Sequence, residues 1–291
     1  MATIDVIANR STASEILGKA YFETDTNSFI VYNGTGWVEL ESDGTGAAAP
    51  DSQYSLSFDG SDHLDTGSSF ASTIGAGATV SCWFKRTSGS STGAMFGSWS
   101  GDRHVAYVSG AALYYLIRAG NVDVSLTLTV PEDTNWHHFA AVIQQDGSNI
   151  VNKGYVDGVL AGTNSNSGTL SNFAPTVNMF IGKRNRPNHS STLPFTGHID
   201  DVAIFTSALS DGSVSSGQTA GGDIANIYNS GVPTDLSSFT TAAWWRMGDD
   251  ANDNFVDGGA VPSIQDSSGE GLHATQSTAS NQPTFSTSVP A

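Results

Sequence analysis

The sequence predicts an all-β protein: a sandwich of two antiparallel sheets, preceded by a small three-stranded β module. Three observations point there. Roughly a dozen short segments carry the β-branched and aromatic residues of strands, with turn residues between them. Glycine is abundant, 32 of 291 residues, and Ser, Thr, Asn and Asp fill the gaps. One stretch, "GGDIANIYNSG", has helical spacing, with Ile224, Ile227 and Tyr228 at i, i+3 and i+4 and Gly231 to end it.

Residues 1–41 form the small module. "STASE" offers a capping box, Thr12 as N-cap with Glu15 three residues on, and predicts about one helical turn stopping at Gly18. "KAYFETDTNSFIVYNGTGWVEL" then reads as a three-stranded meander turning at Asp25-Thr26-Asn27 and at Asn33-Gly34. Tyr21, Phe22, Phe29, Tyr32 and Trp37 place aromatic rings on both faces. A piece of about 40 residues rarely buries enough surface to fold alone. Those five rings are therefore expected to form an interface, either with the rest of the chain or with identical chains or another protein.

Residues 42–52, "SDGTGAAAPDS", have the composition of a linker. Residues 53–275 hold the strand series, from "QYSLSFDG" through "ATVSCWFKRT", "WHHFAAVIQ" and "FTGHIDDVAIF" to "AAWWRMG". Residues 276–291 are polar and of low complexity, which predicts a tail lying on a surface or mobile.

Charge narrows the function. Eleven basic residues stand against 28 acidic ones, a net charge of −17. Nucleic acid is disfavoured as a partner, because its affinity rests on Lys and Arg neutralising phosphates. No apolar run approaches 18 residues, so no membrane insertion is expected. Cys82 is the single cysteine and shares a strand face with Val80 and Phe84, the position of a small core residue. The first residues show no basic region followed by an apolar one, so the chain is expected to be made in a cytoplasm without a signal peptide.

His137-His138 in "NWHHFAAV" invites a catalytic reading, and strand geometry argues against it. Trp136, His138, Ala140 and Val142 line one face, while His137, Phe139, Ala141 and Ile143 line the other. The rings point in opposite directions on a strand apolar on both faces, so structural roles in a central strand are expected. "GHIDDVAIF" sets Asp200 and Asp201 side by side, hence on opposite faces, and supplies no Glu; glycoside cleavage normally needs paired carboxylates at a fixed separation. "GSSTG" at 89–93 matches an esterase elbow in form, but "AMFGSWS" after it reads as a strand where that elbow needs a helix. No catalytic residue is assigned.

Two binding chemistries remain. Between Asp249 and Glu270 lie six acidic residues and no Lys or Arg, and "FDGSDHLD" adds three more acids at another turn. Oxygen-rich loops of this kind suit Ca²⁺, with Asp62, Asp249, Asp253 and Asp266 as the ligand set; a solvated acidic loop whose Asp and Ser residues cap turns is the other reading. Saccharide binding would use exposed aromatic rings with polar neighbours, and Trp99, Tyr107, Tyr114 and Tyr115 are the candidates beside a plain core role.

Six segments in series, "SLSFDGSDHLDTG", "ATVSCWFK", "NWHHFAAV", "GYVDGVLAGT", "FIGKRN" and "FTGHIDDVAIFTSALS", resemble those of laminin-G-like, concanavalin-A-like jelly rolls. "AAWWRMGDD…IQDSSGEGLHAT" resembles a further signature of that group, which more often opens such a domain and here closes it. The resemblance covers about residues 53–275. It implies a jelly-roll sandwich in which the last strand still completes a sheet, and relatives that often hold calcium at sandwich edges. Glucanases of this fold carry a strand with paired glutamates that is missing here. "YFETDTNSFIVYNGTGW" in turn resembles a module of structural proteins of tailed bacteriophages. Together the two resemblances imply a non-enzymatic virion structural protein on the particle surface, of capsid-decoration or head-fibre type. The N-terminal module would dock on other virion proteins and identical chains, with a homo-oligomer, trimer favoured, as the expected state. The jelly roll would be displayed for shell stabilisation or host-glycan adhesion. A tail-fibre protein and a carbohydrate-binding module of a bacterial surface protein are the alternatives.

Overall fold

The computed structural model describes residues 52–210 and 223–290 throughout, and four strand backbones within the first 51 residues. The chain divides into two compact units, Met1–Asp51 and Ser52–Ala291.

In the first unit β1 (Asp5–Ile7), β2 (Ala20–Glu23), β3 (Ser28–Tyr32) and β4 (Trp37–Glu41) form one sheet in that order. The meander read from the sequence is β2-β3-β4, antiparallel, with Tyr32 opposite Trp37. The sheet has four strands rather than three, because β1 pairs parallel to β2 with Asp5 opposite Tyr21. A three-residue strand carries too little pattern to be seen in advance. The helical turn expected at Thr12–Gly18 lies outside the described residues, as do the side chains of Tyr21, Phe22, Phe29, Tyr32 and Trp37.

The second unit runs through β5 (Ser55–Asp59), β6 (Leu64–Asp65), α1 (Ala71–Ala76), β7 (Ala78–Arg86), β8 (Thr92–Trp99), β9 (Arg103–Ser109) and β10 (Ala112–Ala119). It continues with β11 (Val122–Asp123), β12 (Leu126–Thr129), β13 (Trp136–Asp146), β14 (Asn149–Val156), β15 (Val159–Ser167) and β16 (Phe180–Ile181). β17 (Thr196–Phe205), α2 (Asp223–Tyr228), β18 (Thr241–Trp245), β19 (Ser263–Ile264), β20 (Ala274–Thr275) and β21 (Thr284–Ser286) complete it.

These strands make two sheets, as the sequence predicts for a jelly-roll sandwich. The first has the order β15-β14-β13-β7-β17-β5-β21, with β18 also paired to β17. The second has the order β11-β10-β9-β8-β16-β6-β20-β19, with β12 also paired to β10. Every pairing of named strands in both is antiparallel. The hairpin at Asp157-Gly158 has both residues at positive φ, 50° and 73°, the geometry that matches the twist of the flanking strands.

Between the sheets lies one core, with Leu56, Phe58, Phe84, Phe96, Tyr115, Phe139 and Trp245 all within 1 % of full burial. Burying each such side chain contributes about 1.5–3 kcal/mol. Cys82 sits there between Val80 and Phe84, and burial pushes its thiol pKa far up.

A second apolar cluster covers the outer face of the first sheet. Ala140, Val142, Tyr155, Ala203 and Phe205 meet Ile224 and Ile227 of α2, together with Leu209, Leu236 and Trp244. That cover explains why β13 and β17 are apolar on both faces. The second sheet keeps a different outer face, described below.

Two stretches depart from expectation. Residues 276–291, read as a tail, contain β21, which pairs with β5 and sinks Phe285 into the core. One aromatic in a run of Ser, Thr and Pro is enough to anchor an edge strand, and composition hides it. The signature "AAWWRMG…GLHAT" serves both sheets, with β18 on β17 and β20 on β6. α1, a six-residue helix with only Ile74 buried, is too short to leave a periodic signal.

Candidate functional site

Alternation along β9 and β10 decides which side chains face outward. Ala106, Val108, Leu113, Tyr115 and Ile117 enter the core, so Arg103, Tyr107, Tyr114 and Arg118 lie on the opposite face. Tyr107 pairs across the strands with Tyr114, and their rings stack with centroids 4.5 Å apart and planes 7° apart. Such a pair adds about 0.5–1.5 kcal/mol and turns one face of each ring against the other. The Tyr107 phenol is pushed up in pKa by burial and by Tyr114, against the pull of the nearby Arg184 charge.

Trp99 ends β8 on the same face, opposite Arg103 of β9. The chain after β16 runs beside it: Asn185 N–H donates to Gly97 O at 2.9 Å, and Trp99 N–H donates to Asn185 O at 2.8 Å. Residues on either side of Asn185 then point to one face, which delivers Arg184 and Arg186 to the indole. The guanidinium carbons of Arg103, Arg184 and Arg186 lie 4.4, 4.8 and 4.2 Å from the Trp99 ring centre. Each cation–π contact is worth about 0.5–1 kcal/mol near the surface. Arg184 is further held by Ser191, its Nη2 donating to the carbonyl at 2.7 Å and to Oγ at 3.0 Å. Arg103 pairs with Asp123 at 2.5 Å. Burial, then the charges of Arg186 and Arg103, lower the pKa of Arg184. Beside Trp99 opens a depression of about 450 Å³ that Ser100, Thr176, Arg186, Asn188 and His189 help to line.

Three of the four aromatics expected to meet a saccharide, Trp99, Tyr107 and Tyr114, thus share one face. Tyr115 does not: it is fully buried in the core against Phe139, with ring centroids 5.6 Å apart. Adjacent strand residues cannot share a face, so the pairing of Tyr114 with Tyr115 was excluded by the same rule that separates the histidines. Trp99, moreover, is a platform for cations more than an open stacking surface. Arg184 and Arg186 were missed, since "GKRNR" shows its charges but not the strand it runs beside.

The four acids assigned to calcium do not meet. Among the described residues no three His, Cys, Asp or Glu side chains are grouped so as to hold a metal ion. Each accepts hydrogen bonds from backbone N–H groups. Asp62 accepts from Asp59 N–H at 2.8 Å, and Asp249 from Gln53 N–H at 3.0 Å. Asp253 accepts from Gln265 N–H at 2.9 Å, and Asp266 from Trp244, Ser268 and Leu272 N–H groups. Burial raises Asp253 to about 6.

The other chemistry-bearing pairs are also structural in placement. His137 reaches Asp157 through Nδ1 at 2.8 Å and Asp133 through Nε2 at 2.9 Å. His138 points the other way, buried beside Trp83, and burial lowers it to about 4. Asp200 and Asp201 are both buried, with Ser52 Oγ donating to Asp200 at 2.6 Å and Trp244 Nε1 donating to Asp201 at 2.7 Å. Burial and the Asp201 charge push Asp200 well above the usual carboxylate range. Ser91 of "GSSTG" precedes β8 and no helix follows it. A second depression, of about 550 Å³, lies at Trp83, Trp136, Asp157 and Tyr228, but Trp83 there is 3 % exposed and stacks on Tyr228.

Two antiparallel sheets, one covered by a helix and one keeping an aromatic and cationic outer face, define a jelly-roll sandwich of laminin G type. Residues 58–215, more than half of the chain, match the laminin G family described as the concanavalin A-like lectin/glucanases superfamily, and the chain belongs to it. Among solved structures it is similar to a Bacteroides ovatus protein described as a candidate carbohydrate-binding protein, at 14 % identity over 94 % of this chain and 71 % of that one, TM-score 0.55. It is also similar to the CBM40 of the Ruminococcus gnavus IT-sialidase bound to α2,3-sialyllactose, at 18 % identity over 54 % of this chain and 92 % of that one, TM-score 0.45. Domains LG4-5 of the mouse laminin α1 chain align at 16 % identity over 57 % of this chain and 44 % of that one, TM-score 0.40. No curated protein matches the sequence.

Proposed function

We propose that the chain is a non-enzymatic saccharide-binding protein that uses the outer face of β8, β9 and β10. The observation that carries this reading is the asymmetry of the sandwich. The first sheet hides its outer face under α2 and its flanks, whereas the second keeps the Tyr107–Tyr114 stack and Trp99 on its outer face, with polar side chains around a depression beside Trp99. Aromatic side chains beside hydrogen-bonding groups suit sugar rings, which offer C–H faces and hydroxyl edges. The B. ovatus protein, described by its carbohydrate binding, adds support from a chain of similar fold. The buried Asp200–Asp201 pair lies away from this face, so the reading assigns it no catalytic part.

A glycan array probed with the whole chain and with Tyr107→Ala tests the proposal. The wild type retains a saccharide subset, and Tyr107→Ala loses at least tenfold in affinity while its unfolding midpoint stays within a few degrees. Equal retention by both proteins would remove this face from the account.

A setting on a bacteriophage particle, as capsid-decoration or head-fibre protein with tail fibre as the alternative, is favoured by one structural feature. Residues Met1–Asp51 form a unit of their own with a separate four-stranded sheet, as a docking module would. In that setting Tyr21, Phe22, Phe29, Tyr32 and Trp37 meet identical chains or other virion proteins. Mass spectrometry of purified particles tests it, and absence of the chain from them would overturn it.

A further inference from the structure

Resting on that saccharide-binding reading, we propose that Arg103, Arg184 and Arg186 around Trp99 form a subsite for a negatively charged saccharide, one bearing a carboxylate or a sulfate. The chain has 11 cationic side chains against 28 acidic ones. Five of the eleven, Arg103, Arg118, Lys183, Arg184 and Arg186, lie on or beside this one sheet. Lys183 stands over the Phe180 ring at 5.6 Å. In a molecule of net charge −17, a cationic face of this kind runs against the general field and would repel nothing but cations.

The three guanidinium groups lie within 4.8 Å of one ring centre, so no two are more than about 10 Å apart. Their mutual repulsion is only partly answered from within. Asp123 serves both Arg103, at 2.5 Å, and Arg118, at 3.9 Å. Arg184 and Arg186 have no carboxylate partner among the described residues, and Arg186 has only the indole. Burial, Arg186 and Arg103 all weaken the hold of Arg184 on its proton. An anion arriving here would gain the attraction of several cations at once and relieve their repulsion. The Arg186 guanidinium fork matches the paired oxygens of carboxylate and sulfate, which a lysine would not, while Arg184, buried and held by Ser191, and Arg103, held by Asp123, add positive charge beside it. The adjoining depression, about 450 Å³ with Ser100, Asn188 and His189 at its wall, falls within the size range of small-ligand sites and accommodates one or two sugar rings. The Tyr107–Tyr114 stack extends the same face for neighbouring rings.

The test is calorimetric titration of the whole chain with a galacturonic acid tetrasaccharide, a sulfated galactose tetrasaccharide and the neutral galactose tetrasaccharide. At least one acidic ligand binds tenfold or more tightly than the neutral one, and raising NaCl from 20 mM to 500 mM weakens it. Arg186→Gln lowers that affinity at least tenfold and Arg186→Lys falls between, with unfolding midpoints unchanged because Arg186 makes no hydrogen bond to a described residue. Which acidic arm binds identifies carboxylate or sulfate as the anion. Equal affinity for acidic and neutral ligands overturns the charged subsite and leaves the saccharide-binding face standing. Acidic binding untouched by Arg186→Gln places the anion elsewhere and overturns it too. Silence of all three ligands together with a silent glycan array removes both readings.

Discussion

His104 lies wholly inside the sandwich between Phe96 and Phe173, and its ring nitrogens, near the Ser69 backbone, complete no hydrogen bond. Burial lowers it to about 3, and lowers His138 to about 4. Both are neutral in the folded and unfolded chain above pH 6.5 and cost nothing there. Below 6.5 the unfolded chain takes up protons that the native one refuses, so each residue removes about 1.4 kcal/mol of stability per pH unit down to its folded value. His104→Leu is therefore expected to unfold in urea with a shallower loss between pH 6.5 and 4.5 than the wild type, by about that slope; an unchanged slope would refute it. His137 has the opposite sign. Burial alone would lower it, but its bonds to Asp157 and Asp133 prevail and raise it. Its contribution is complete below pH 6.5 and disappears as pH rises through its raised folded value. His137→Gln should thus destabilise more at pH 6 than at pH 9. Strand alternation was enough to send His137 and His138 to opposite faces, and to place Cys82 in the core. It could not show that Asp133 and Asp157 converge on one imidazole, because that contact spans a turn and a hairpin. The three arginines at Trp99 escaped for the same reason, Arg103 being 81 and 83 residues from Arg184 and Arg186 and the two segments being brought together by the backbone bonds of Asn185.

At the scale of elements, the Asp157-Gly158 hairpin ties β14 and β15 to their neighbour. Asp157 accepts the His138 N–H at 2.8 Å while holding the His137 ring. Asp157→Ala removes both partners and should cost about 2 kcal/mol in urea unfolding, whereas a change below 0.5 kcal/mol would show that the hairpin stands without them. β21 supplies a second test, since the only large side chain it commits to the core is Phe285. Phe285→Ala should cost about 3 kcal/mol and loosen the edge of the first sheet. Long alternating or doubly apolar strands such as β7, β13 and β17 were plain in the sequence, and so was α2 through Ile224 and Ile227. Strands of two or three residues, β1, β11 and β21 among them, were not, because their existence depends on the partner that pairs with them.

For the whole molecule, the organising fact is that two antiparallel sheets are finished differently. One is sealed by the α2 cluster, and the other keeps rings and cations on its outside. The sandwich itself could be read from spaced strand and turn signals, but which outer face would be covered could not, since α2 is distant from β13 in sequence and its docking is a tertiary outcome. The division at Asp51 also belongs to this scale. Residues 52–291 expressed alone should keep a cooperative unfolding transition, because the core of the described residues is drawn from that unit. The central claim, a saccharide held on the outer face of β8–β10, is tested most directly by mapping amide shifts in an NMR titration with the sugar that the array selects. The account predicts that the largest shifts fall on residues 99–118 and 183–191, including the Trp99 indole N–H. Shifts confined to the Trp83–Trp136 depression or to the acidic stretch 249–270 would contradict it.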